Sequence, residues 1–223
     1  DVSLVGSEMC IRDRELVYKF RESFPNTKIA ADANHAYNFK EATSMAKLLE
    51  SLDYSWLEEP LAPDNIEEMA SLRLYTSLPI AAGECEQTRH GFQRLARAGS
   101  LDIYQPDIAY CGGITEFQKI SAIAAAAHVD VVPHCWGLKV NQAAAASAIS
   151  ILPENPGRYE RRPIYLEVDR TEHPVRDSIF SEAHTVKNGK LYFNNSPGLG
   201  VDVDESAMAR YIIDAKMSSL HLT

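Results

Sequence analysis

The chain has 223 residues, 45% of them apolar and 24% charged, a balance that excludes a disordered chain and suits one sizeable folded core. A formal net charge of -9 without any basic cluster argues against a nucleic-acid partner. No apolar run reaches the roughly eighteen residues of a membrane span, and the four cysteines form neither a CxxC motif nor a disulfide framework, reading instead as small buried thiols of a cytoplasmic protein.

The first fourteen residues (DVSLVGSEMCIRDR) carry neither helical nor strand periodicity and resemble translated sequencing-adaptor read-through. They are expected to be a non-native head, with protein-like sequence beginning near Arg14. A helix over Arg14–Ser23 then presents Leu16, Val17 and Phe20 on one face, and a turn at Pro25–Asn26 leads to a strand, Lys28–Asp32. The next helix, Phe39–Leu52, places Met45, Leu48, Leu49 and Leu52 on one stripe. The unit repeats with strand Tyr54–Glu58 and a helix opening at Asp64, where Asp64 and Glu67 have capping-box spacing. Strand Leu78–Gly83 precedes a helix over Arg89–Ala98, strand Asp102–Pro106 a helix over Thr115–Ala127, and strand Val129–Pro133 an alanine-rich helix over Asn141–Leu152. Ile164–Glu167 reads as a sixth strand. Beyond it, Asn188–Gly189 marks a hairpin turn between Ala183–Val186 and Leu191–Phe193, and Ser206–Ile213 a last short helix.

Strands and helices that alternate this regularly demand a parallel sheet, either open and doubly wound or closed as a (β/α)8 barrel of the TIM type. A nucleotide-binding sheet would show a glycine fingerprint after its first strand, and none is present.

The placement of the acids points to chemistry. Asp32, Glu58 and Glu84 each close a strand, 26 residues apart, so a parallel barrel would bring all three to one rim. Three converging carboxylates repel one another unless a cation joins them, and an all-oxygen set suits Mg²⁺. Asp107 and His134 follow the next two strands, where a carboxylate can fix the imidazole tautomer and raise its basicity. Glu167 ends the sixth.

The motifs Asp32-Ala33-Asn34, Trp56-Leu57-Glu58-Glu59-Pro60, Gly83-Glu84, Gln105-Pro106-Asp107, Gly112-Gly113 and Pro133-His134, in this order, resemble the enolase superfamily and its mandelate racemase/muconate lactonizing enzyme-like branch. The resemblance implies an incomplete TIM barrel of about six βα units, lacking the capping domain and first strands. Residues 15–170 would be that barrel, and 171–223 a tail that packs on the missing cap. It implies Mg²⁺ bound by Asp32, Glu58 and Glu84, with Glu58 chosen over Glu59, and Asn34 close to the substrate. His134, oriented by Asp107, would be the general base, and protonated Glu167 a hydrogen-bond donor to the enolate.

The reaction so implied is abstraction of the proton alpha to a carboxylate through an ene-diolate. Flanking details, such as Val132-Pro133-His134-Cys135-Trp136-Gly137, look most like sugar-acid enzymes, so dehydration of a sugar acid leads. Racemization, epimerization or lactone cycloisomerization are alternatives, as is a non-catalytic barrel. The branch's Lys-x-Lys base would fall within the head, where there is no lysine. The chain alone is therefore expected to be inactive, and the parent enzyme a cytoplasmic homo-oligomer acting on a small carboxylate.

Overall fold

A computed structural model describes residues 2–152 and 164–212, the side chains of residues 2–11 excepted. Among the described residues two compact units emerge: residues 2–134 with 152 and 164, and residues 135–151 with 165–212.

The first unit is built on a five-stranded parallel sheet. Its strands are β1 (Ala31–Asp32), β2 (Leu57–Glu58), β3 (Ile80–Ala82), β4 (Ile103–Tyr104) and β5 (Asp130–Val131), paired in the order β1-β2-β3-β4-β5. A doubly wound sheet reverses its strand order at a switch point. Here the order never reverses, which matches the wall of a barrel.

The helices of this unit are α1 (Val2–Ser23), α2 (Phe39–Ser51), α3 (Ile66–Leu72), α4 (Thr88–Ala98) and α5 (Ile114–Ala126). Helices α2 to α5 bury apolar residues on one face, as in α2, where Ala42, Met45, Ala46, Leu48 and Leu49 are inside. The core between helices and sheet holds Leu57, Ile80, Phe92, Tyr104, Phe117 and Ile120, each almost wholly buried. Phe92 of α4 meets Tyr104 of β4 edge-on, with ring centroids 5.4 Å apart, an arrangement that suits the two ring quadrupoles.

Three local expectations are corrected here. Helix α1 runs unbroken from Val2, through the segment whose sequence shows no helical periodicity. Its Leu16 and Phe20 remain half exposed, so the apolar stripe read there is only partly covered. The third helix starts two residues later than Asp64: its N-cap is Asn65, which makes no side-chain cap bond, while Asn65 Nδ2 donates to Glu68 Oε2 at 2.6 Å. The genuine capping box is at α2, where Asn38 Oδ1 accepts from Glu41 N and Glu41 Oε2 accepts from Asn38 N, both at 3.0 Å.

The second unit carries α6 (Lys139–Ile149), α7 (Pro174–Ile179), the antiparallel hairpin β6 (His184–Lys187) and β7 (Lys190–Phe193), and α8 (Glu205–Met208). The hairpin turn lies at Asn188–Gly189, both left-handed (φ 52° and 69°), the backbone that a two-residue turn needs to match strand twist. Expected strand Ile164–Glu167 forms no ladder among the described residues. Its apolar residues suit a strand, but extended chain becomes one only when a neighbour pairs with it. The expected last helix is shorter, α8 giving way to a 3-10 turn over Ala209–Tyr211, and Ile213 lies outside the described residues.

Arg176 organizes this unit. It is 5% exposed, donates to Asp169 Oδ2 and, through Nε, to Asp177 Oδ1 at 3.0 Å, and also reaches the Thr171 carbonyl. A buried guanidinium requires such a set of acceptors.

Candidate active site

Parallel strands in step deliver their last residues to one rim. Asp32 closes β1 and Glu58 closes β2, and the two are ladder partners. Glu84 lies just past β3, separated from it by Gly83. Asp107 stands three residues beyond β4 and His134 three beyond β5, equal offsets from the paired residues Tyr104 and Val131.

The chain bends sharply at each of the first three exits. Asn34 (φ 44°), His35 (φ 63°) and Glu59 (φ 41°) are left-handed, a conformation costing a non-glycine residue about 1–2 kcal/mol. Pairing beyond the strands holds them: Ala33 N–H donates to Glu58 O (2.9 Å), His35 N–H to Glu59 O (2.8 Å) and Glu59 N–H to Ala81 O (2.9 Å). Backbone strain of this kind concentrates where side chains must be aimed. At the third exit Gly83 (φ 129°) avoids the cost, and a Cβ there would stand 3.0 Å from the Phe92 ring.

The acids are individually oriented. Asn34 N–H donates to Asp32 Oδ1 at 2.8 Å, and Trp56 Nε1–H to Glu58 Oε2 at 3.2 Å. Their combined charge is felt by Glu59, which is 1% exposed. Burial, followed by the negative charge of Glu84, Asp32 and Glu58, pushes its carboxyl up to about 8, with His134 opposing. Negative potential from all three acids therefore converges at the rim. Oxygen donors from three strand ends in such a field fit a hard divalent cation.

His134 and Asp107 form a closely bonded pair. His134 Nδ1 lies 2.7 Å from Asp107 Oδ2, and Asp107 is 1% exposed, with Oδ1 accepting from Ala109 N–H at 2.7 Å. A carboxylate in this position favours a proton on Nδ1. That Nε2 is 3.4 Å from Glu84 Oε2, so the acid rim and the histidine meet. Asp32, Glu58, Glu84, Asp107 and His134 thus share one edge of the sheet. Glu167 belongs to the second unit, where its Oε2 accepts from Cys135 N–H at 2.7 Å.

Three further side chains flank these acids: Glu59, set aside in favour of Glu58 as a metal ligand, and His35 and Cys85, to which no role was given. His35 Nε2 lies 3.1 Å from Glu59 Oε2 and 3.9 Å from Cys85 Sγ. Cys85 is exposed, contrary to the expectation of buried thiols, whereas Cys111 and Cys135 are buried. The available signal was position: each of the three follows a strand-end acid by one or three residues.

Among the described residues no helix is long and apolar enough to cross a membrane. The model of the enolase C-terminal domain-like family matches residues 5–207. D-galactarolactone cycloisomerase of Agrobacterium fabrum (strain C58) is 32% identical over 89% of the chain and 53% of that protein. The crystal structure of the 3,6-anhydro-D-galactonate cycloisomerase from Zobellia galactanivorans superposes with a TM-score of 0.83 at 36% identity, covering 91% of this chain and 55% of that one. A variant of L-talarate/galactarate dehydratase, liganded with Mg and L-glucarate, gives a TM-score of 0.75 at 26% identity over 90% of this chain and 47% of that one. The chain spans about half the length of the relatives it matches. With Asp32 and Glu58 in register and the family model spanning nearly its whole length, the chain belongs to the enolase superfamily, as a member of its C-terminal domain-like family.

Proposed function

We propose that this chain is the chemical half of a Mg²⁺-dependent enzyme that removes the proton alpha to the carboxylate of a sugar acid. The observation that carries this reading is the meeting of the acid rim with the Asp107–His134 pair, Glu84 Oε2 lying 3.4 Å from His134 Nε2. Asp32, Glu58 and Glu84 would hold the cation. Bound there, Mg²⁺ would supply positive charge against the second negative charge that α-proton removal places on a substrate carboxylate.

The protein's own groups do the remaining work. His134 Nε2 takes the α proton, and Asp107 stabilizes the imidazolium that results while holding the ring in place. Asn34, at the first strand exit, is assigned to the substrate's polar groups. Glu167 is assigned as the donor that steadies the oxyanion, a role that requires it to be protonated. In a dehydratase the β-hydroxyl then leaves as water once a proton is delivered to it.

Cycloisomerization is the second reading, favoured because two of the similar proteins are named cycloisomerases. It shares the proton-abstraction step and conserves the substrate's formula, whereas dehydration loses one water. The test is incubation of the full-length parent enzyme and Mg²⁺ with a panel of sugar acids in D₂O, followed by NMR. Deuterium at the α carbon, or a product from at least one acid, is expected. Neither from any acid would refute the reading for that panel.

A further inference from the structure

We propose that His35, Glu59 and Cys85 form a second cation site, distinct from the three-carboxylate rim, for a borderline-soft divalent ion of the Zn²⁺ class. Each offers one ligand atom, and the three atoms lie within 4.8 Å of one another. They come from the exits of β1, β2 and β3, so the ladder that positions the rim acids positions these residues too. His35 N–H donates to Glu59 O at 2.8 Å and Glu59 N–H to Ala81 O at 2.9 Å.

Two further observations fit a metal at this cluster. His35 Nδ1 lies 3.3 Å from the Leu61 carbonyl oxygen, which can only accept, so a proton held on Nδ1 would leave the Nε2 lone pair for a metal. Ligating histidines use this same backbone anchor. That lone pair faces Glu59 Oε2 at 3.1 Å, on a side chain 2% exposed whose Oε2 has no hydrogen-bond partner. A cation bound by both atoms would satisfy the buried carboxylate and the imidazole together.

The distances suit an ion. Ideal tetrahedral Zn²⁺ would separate N from O by about 3.4 Å and N from S by about 3.6 Å. The observed separations are 3.1 Å and 3.9 Å. The donor set of imidazole, carboxylate and thiol selects against Mg²⁺, which prefers oxygen alone. Three protein ligands leave a fourth position open, and Cys85 is exposed, so the site has access to solvent.

The test uses the whole chain saturated with Mg²⁺, which occupies oxygen sites, and titrates Co²⁺ as a coloured stand-in for Zn²⁺. One equivalent is expected to raise a thiolate-to-metal charge-transfer band that Zn²⁺ then abolishes. Cys85→Ser should lose the band. His35→Asn, which tolerates the left-handed backbone at this position, should weaken Co²⁺ on the order of 100-fold. Glu84→Gln should keep the band, which separates this site from the carboxylate rim; circular dichroism checks that each variant is folded. No band in the folded chain would mean that a protonated Glu59 simply donates to Nε2, and would overturn the site. So would a band that survives Cys85→Ser, or one lost in Glu84→Gln but kept in His35→Asn.

Discussion

His134 is held by Asp107 through a 2.7 Å contact to Nδ1, and Asp107 is held in turn by the Ala109 N–H at 2.7 Å. The imidazole therefore cannot turn or exchange tautomer without breaking a buried hydrogen bond. Asp107→Asn keeps the volume but offers an amide, which removes the charge that favours the imidazolium. In the full-length parent enzyme with Mg²⁺, α-proton exchange measured by NMR should slow by about 10²–10⁴-fold, with KM little altered. An unchanged exchange rate would remove Asp107 from the proton-transfer machinery.

Gly83 links β3 to Glu84 in a backbone region that side chains rarely adopt, against the Phe92 ring and the Gln105 amide. Gly83→Ala should destabilize the fold by about 1–3 kcal/mol, read as a lower denaturation midpoint. Because the strain would be relieved by moving Glu84, Mg²⁺ affinity should fall as well. Full stability with full affinity would show that the loop accommodates a Cβ.

Asp169 is held below the usual carboxylate range, first by the Thr171 hydroxyl, then by the Thr171 N–H and the Arg176 guanidinium, against an opposing effect of burial. Its folded state thus prefers the charged form more than the unfolded chain does. The stability this gives is present above the unfolded value of about 3.9 and is lost as the pH falls through the lower, folded value. Asp169→Asn should cost about 1–3 kcal/mol at neutral pH and flatten the acid limb of a stability–pH curve. A variant whose loss of stability is the same at pH 7 and at the acid end would contradict this origin.

The repeat of strand and helix was legible because each helix shows an apolar stripe and each strand a compact apolar run, signals that survive without knowing the neighbours. Asp32, Glu58 and Glu84 were legible for a related reason: parallel strands send the residues at their ends to one rim, with Asp32 and Glu58 as ladder partners and Glu84 just past the third strand. What depends on neighbours was not legible. Ile164–Glu167 looks like a strand but pairs with nothing among the described residues, and Asp64 has capping spacing while the helix begins at Ile66. Helix α1 extends back to Val2 through residues with no periodic stripe, and periodicity registers only helices with one buried face. The cluster of His35, Glu59 and Cys85 was hidden because left-handed exits, invisible to a pattern reading of Glu and His, turn those side chains together.

The most direct measurement is Mg²⁺ binding by calorimetry to the wild-type chain and to Glu84→Gln. Glu84 stands at the third strand exit, 3.4 Å from His134, so it ties the proposed metal site to the proposed base. Replacing its carboxylate by an isosteric amide should weaken Mg²⁺ by at least about tenfold, with circular dichroism unchanged. Equal Mg²⁺ affinity in the two proteins would contradict a metal centre at this rim.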